Sequence, residues 1–235
     1  MTDLALFSLD ADGWGLPMLR AAGMTLALAT CGYLLGAAIG VLGAWAKLQR
    51  RKPLRWIAEG YTTVLRGIPD LLVIFLFYFG AGLGLTAIAR LFGGTGFISL
   101  PGFVAGLLAI GIVAGAYHTE VMRGAILAVS VGEVEAAAAS GMPLLLRFRR
   151  IVLPLALRAA LPGLGNVWQL VLKEAALVSV TGVVELLRQA QLGAGATRKP
   201  FAFYLAAGVL YLCITTSTGL LFQIAEVRHS RWVRK

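Results

Sequence analysis

At 235 residues the chain has the length of one soluble domain, yet 59% of it is hydrophobic and only 14% charged, against about 45–50% and about 25% in a soluble protein. The formal net charge of +10 raises nucleic-acid binding, which the placement of the cations excludes. The two cysteines, Cys31 and Cys213, lie inside apolar runs, so a disulfide framework or a thiolate metal site is not expected.

The N-terminus is acidic (Asp3, Asp10, Asp12) ahead of the first apolar run. A cleavable signal would be basic there, so the run reads as a retained span. Five spans are predicted, at 17–46, 61–89, 101–121, 159–183 and 201–225. Each is long enough to cross a hydrocarbon core of about 30 Å with some tilt. Helices are expected, because a chain segment in lipid must satisfy its own backbone polar groups. The predicted fold is therefore all-α and polytopic, with five transmembrane helices.

Span one carries Gly32, Gly36 and Gly40 on one helix face, with Gly43 beyond, and span three carries Gly111 and Gly115. Such faces admit another helix closely, either within the bundle or from a second subunit. In span two, Pro69 removes a backbone donor and bends the helix just before Asp70. Leu161-Pro162-Gly163 and Gly165 predict a similar break at the start of span four. Broken helices inside bundles are where transporters expose backbone to solutes.

Fifteen of the 21 Lys and Arg fall on one side of this arrangement: six around 47–66, five around 123–158, and Arg228, Arg231, Arg234 and Lys235 in the tail. The positive-inside rule puts the N-terminus outside and the C-terminus in the cytoplasm. Anionic headgroups account for these juxtamembrane cations, and nucleic acid is not needed.

The long basic connection at 122–157 contains Glu135-Ala136-Ala137-Ala138-Ala139-Ser140-Gly141, then Ile151-Val152-Leu153-Pro154. The alanines favour helix, Gly141 is suited to a left-handed C-cap, and Pro154 breaks or starts the next helix. The segment reads as a short helix, a turn and a second helix. A small-residue helix on a membrane face fits a partner's groove; the alternative is a plain amphipathic linker.

Glu135-Ala136-Ala137, Gly141 four residues on, nine intervening residues, then Ile151-x-Leu153-Pro154 resembles the EAA loop of permease subunits of bacterial binding-protein-dependent ABC importers. The resemblance extends over essentially the whole chain. Glu59-Gly60-Tyr61-Thr62-Thr63, Arg66-Gly67-Ile68-Pro69-Asp70, Ala160-Leu161-Pro162-Gly163-Leu164-Gly165-Asn166 and Ala176-Leu177-Val178-Ser179 are similar to the polar amino-acid permeases, above all the histidine, lysine/arginine/ornithine and opine branch. The resemblance implies the type I importer permease fold in a bacterial inner membrane. It implies that Glu135 through Gly141 form a coupling helix seated in an ATPase subunit, with Ile151, Leu153 and Pro154 leading back to span four. It also implies partners: an ATPase pair, a periplasmic substrate-binding protein, and a second permease, with a heterodimer favoured over a homodimer.

No cofactor is expected in this chain. None of its five lysines follows a glycine, so it has no P-loop of the GxxxxGK[ST] kind, and ATP and Mg would bind the partner ATPase. For the substrate pathway the candidates are Asp70, Glu120, Lys173 and Glu174. A charge near the bilayer centre costs about 2.5–3.5 kcal/mol on insertion scales, so charges there are expected to face the pathway or a partner. Lys173 and Glu174 are adjacent and do not share a helix face, whereas Glu120 and Arg123 do. Asp70, Glu120 and Glu174 together would balance a cationic amino acid. Family members often carry a hydroxyl residue where this chain has Glu174. His118 and His229 are too few and too distant for a metal site, and His118 reads as structural.

Other readings predict other observations. An ion-gradient-driven secondary amino-acid transporter would show an internal repeat, which is absent. An intramembrane enzyme needs an activated nucleophile, and Ser99, Ser179 and Ser217 have no convincing base. A purely structural subunit would bind without turnover.

Overall fold

A computed structural model describes residues 6–10, 13–96 and 98–230. Asp3, Asp12, Arg231, Arg234 and Lys235, named above, lie outside the described residues, as does the side chain of His229. The described residues form helices joined by short connections and no strands. We label them α1 (Gly15–Leu48), α2 (Lys52–Gly67), α3 (Asp70–Leu91), α4 (Gly102–Leu127), α5 (Val131–Ala139), α6 (Leu144–Thr181), α7 (Leu186–Thr197) and α8 (Pro200–Ser230). Five of these, α1, α3, α4, α6 and α8, are long and apolar enough to cross a membrane.

Span two differs from the expected uninterrupted crossing at 61–89. Its first part belongs to a separate amphipathic helix, α2, and the crossing begins at Asp70. Between them Ile68 and Pro69 are extended, at φ/ψ of −105°/150° and −61°/132°. Proline disfavours a helical conformation in the residue before it, which separates the two helices. The hydroxyl of Tyr61 donates to the carbonyl of Ile112 at 2.6 Å, so α2 lies along α4.

Span four also departs from expectation. The break predicted at Leu161-Pro162-Gly163 is absent, and α6 runs through Pro162. Gly163 and Gly165 serve packing instead. A Cβ on Gly163 would lie 2.8 Å from Val121, and one on Gly165 would lie 3.4 Å from Phe222. The irregular stretch is a π-turn at Phe148–Val152, next to Pro154, which lacks the N–H for a regular helical bond to Arg150. Helix α6 ends in a tight 3-10 stretch, Ala175–Thr181. The connection expected at 122–157 is accordingly shorter, because α4 reaches Leu127 and α6 starts at Leu144. Ile151, Leu153 and Pro154 sit inside α6.

The glycine face of α1 packs within the bundle rather than against another subunit. A Cβ on Gly32 or Gly36 would stand 2.7 Å from Ile110 or Ala114 of α4, and Gly40 and Gly43 face His118 and Thr119. Without side chains on α1 the two backbones approach closely. Gly36→Leu should therefore destabilise the chain by about 1–3 kcal/mol or more through overpacking, read as a lower unfolding temperature in detergent; an unchanged temperature would count against this packing. The buried core continues through Leu28, Val113, Val171 and Leu172, with Tyr33, Trp168 and Phe222 gathered beside it. Helix α7, which hydropathy did not reveal, docks against α1 and α8 at the opposite end from the basic connections.

Candidate functional site

The helix break before α3 places Asp70 in the first turn of a membrane-crossing helix. Asp70 acts electrostatically on Glu174, from α6, and both act on Tyr117, from α4. Glu174 is 4% exposed, and neither of its carboxylate oxygens finds a hydrogen-bond partner of good geometry among the described residues. Arg66, at the end of α2, lies over the Tyr117 ring at 5.3 Å from its centroid. Four elements thus bring two carboxylates, an aromatic ring and a guanidinium to one place. Two neighbouring carboxylates favour a cation or a shared proton between them.

The other pathway candidates sit elsewhere. Lys173 is exposed and points away from its buried neighbour Glu174, as the 100° step between adjacent helical residues requires. Glu120 does not join the acidic pair. It binds Lys47 through one oxygen and Arg123 through the other, at 3.0–3.1 Å. The expected trio of Asp70, Glu120 and Glu174 is therefore a pair, with Glu120 neutralised by cations of α1 and α4. Arg123 was foreseeable as a neighbour on the same face. Lys47, 73 residues away, was not. Arg66 fell within a recognisable motif, but no local signal assigns it or Tyr117 to the site. His118 is buried in packing: its Nδ1 lies 2.8 Å from the Ala114 carbonyl, and its ring meets Tyr33 edge-on at 4.6 Å. Among the described residues no group of histidines, cysteines and carboxylates is placed to hold a metal ion.

A second polar centre lies at the far end. Glu185 is fully buried and caps α7, accepting from the N–H groups of Leu187 and Arg188 at 2.8 and 2.7 Å. The Tyr211 hydroxyl donates to it at 3.1 Å, and Thr25 accepts from the N–H of Leu186 at 3.0 Å. Burial pushes the Glu185 carboxyl above its usual range, although these donors favour its charged form. The network ties α7 to α1 and α8.

At the basic end, α5 projects from the bundle. Glu135, Ala136, Ala138 and Ala139 are exposed, and Ala137 is buried. The helix ends in a Schellman motif: Met142 N–H donates to the Ala137 carbonyl at 3.1 Å and Gly141 N–H to that of Ala138 at 3.0 Å. Gly141 takes the required left-handed conformation, φ +76°. Ile151 and Pro154 of α6 back the inner side of α5 across a groove they share with Ala136, Ala137 and Met142, while Leu153 is 39% exposed. Small side chains outside and a firm backing inside make α5 a compact protrusion.

Residues 16–231 match the family described as binding-protein-dependent transport system inner membrane component. The octopine transport system permease protein OccQ of Agrobacterium tumefaciens (strain Ach5) is 56% identical over 230 residues, covering 98% of this chain and 97% of that one. The histidine/lysine/arginine/ornithine transport system permease protein HisQ of Escherichia coli is 40% identical over 218 residues, covering 93% and 95%. Among solved structures, an amino acid ABC transporter crystallised with histidines superposes with a TM-score of 0.77 at 33% identity, covering 90% of this chain and 93% of that one.

Proposed function

The chain belongs to the binding-protein-dependent transport system inner membrane components, and from that membership we propose that this ABC importer permease carries an opine or a basic amino acid, driven by an ATPase that docks on α5. The protein is the membrane subunit of an amino-acid or opine ABC importer, similar over nearly its whole length to permeases for both solute classes. The observation that carries the substrate reading is the meeting of Asp70 and Glu174 at Tyr117 inside the bundle. A guanidinium or ammonium group there would relieve the repulsion between the carboxylates and form charge-assisted hydrogen bonds.

The chain would act as half of a pathway, paired with a related permease in preference to a second copy of itself. A substrate-binding protein would deliver solute to the α7 end, outside the cell. The basic end, with α5 and the C-terminus, would face the cytoplasm, a direction the cation asymmetry supports. ATP and Mg would be held by the partner ATPase subunits, where hydrolysis supplies the force. That force would enter through Glu135, Ala136, Ala137 and Gly141, and pass by Ile151, Leu153 and Pro154 into α6. Pro154 and Glu174 lie on the same helix, about 30 Å apart at 1.5 Å per residue. Movement of α5 would then shift Glu174 relative to Asp70 and Tyr117.

Reconstitution in proteoliposomes with the ATPase, the sister permease and the binding protein tests this reading. Octopine or arginine uptake should require ATP and persist when ionophores collapse ion gradients. Uptake that survives ATP depletion but not the ionophore would overturn it.

A further inference from the structure

A cavity of about 1000 Å³ opens at the basic end, between the end of α1, one flank of α2 and the last turns of α4. Its lining charges are unbalanced. Lys47 and Arg123 share Glu120, and Arg55 lies 3.5 Å from Glu59. Arg50 and Arg66 line the same space, and neither forms an ion pair with a carboxylate among the described residues. The wall thus carries an excess of three positive charges, with the Thr62 and Thr63 hydroxyls beside them.

General attraction to headgroups does not account for this placement. On its other flank α2 forms an apolar groove with α1, lined by Leu42, Trp45, Leu54 and Ile57. Helix α2 is therefore a partition, apolar towards one side and cationic towards the cavity. The cavity also reaches Tyr117, the residue on which Asp70 and Glu174 act and over which Arg66 lies. The cavity thus ends at the aromatic ring beside which the two carboxylates lie, and its wall carries a group of guanidiniums. A cleft lined by one sign of charge concentrates the opposite sign, and a guanidinium holds a carboxylate in a bidentate pair.

We propose that this cavity is a carboxylate-binding vestibule and that the permease takes bipolar solutes, the cation at Asp70 and Glu174 and the carboxylates at Arg66 and Arg50. A solute with one cation and two carboxylates is held more tightly than one with a single carboxylate, and a cation without a carboxylate is rejected. The cation half of this statement rests on the substrate reading above; the vestibule half stands on the cavity.

The test uses the complete permease and ATPase assembly in nanodiscs, without nucleotide or binding protein. Equilibrium dialysis measures radiolabelled octopine, L-arginine and agmatine, each with a guanidinium and an ammonium but with two, one and no carboxylates. Each lost carboxylate should raise Kd about tenfold, the scale of one charged hydrogen-bonded contact. Arg66→Gln should weaken octopine and arginine by about tenfold or more and leave agmatine unchanged or tighter. Arg50→Gln should remove chiefly the advantage of octopine, and Arg66→Lys, which keeps the charge but not the bidentate fork, should recover only part of what Arg66→Gln loses. Equal weakening of all three solutes by Arg66→Gln, equal affinity of the unaltered assembly for agmatine and octopine, or no binding of any of them overturns the proposal. Glu174→Gln separates the two readings. If it leaves all three solutes unaffected while Arg66→Gln discriminates, the cation site is wrong and the vestibule stands.

Discussion

Gly141→Leu should abolish ATP-coupled uptake while the chain still inserts and folds. The reason lies in the backbone. Gly141 sits at φ +76° as the left-handed residue of the cap that ends α5. A residue with a Cβ costs roughly 1–2 kcal/mol in that conformation. No atom lies within 4 Å of where a Cβ would stand, so the substitution strains the turn without disturbing the bundle. A strained turn loses the bonds from Met142 and Gly141 to the last carbonyls of α5 and redirects the protrusion. Gly141→Asn, which tolerates the left-handed region better, should retain much of the activity. The decisive measurements are substrate-stimulated ATP hydrolysis and uptake in proteoliposomes. Normal coupled uptake by Gly141→Leu would remove α5 as the force-transmitting element.

Glu174→Gln should reduce transport of guanidinium or ammonium solutes by about 10–100-fold in kcat/KM, the equivalent of about 1.5–3 kcal/mol for a charged hydrogen bond. Neutral amino acids should lose far less. The side chain is isosteric and buried, so packing around it survives. Asp70→Asn should act in the same direction. The double variant should fall short of the two losses combined, since both carboxylates act on one cation. A uniform loss across cationic and neutral solutes would reduce Glu174 to a structural role.

Much of this architecture was legible from local chemistry. Hydropathy and length disclosed five crossings, and Pro69 marked the break before α3. The alanine run with Gly141 disclosed α5 and its cap, because capping depends only on neighbouring residues. Two local inferences misled. Leu161-Pro162-Gly163 reads as a helix breaker, yet inside a bundle Gly163 and Gly165 admit Val121 and Phe222 and the helix continues. Helix α7 was missed because it is short, weakly amphipathic and interrupted by Gly193 and Gly195, and because its cap, Glu185, takes its partner Tyr211 from α8.

By itself, then, the sequence determined the solvent, the number of crossings, the break at Pro69, the cap of α5 and the family, all of which depend on composition or on residues within a few positions of one another. Only the tertiary structure decided which charges meet. Glu120 is neutralised by Lys47 from α1, whereas Glu174 is left to face Asp70 beside Tyr117. For these two acids the local sequence offers Glu120 its neighbour Arg123, but neither its Lys47 partner nor the meeting of Glu174 with Asp70. Their surroundings are set by how α1, α2, α3, α4 and α6 pack, and that packing turns on close contacts such as those of Gly36 and Gly40 between residues far apart in the chain.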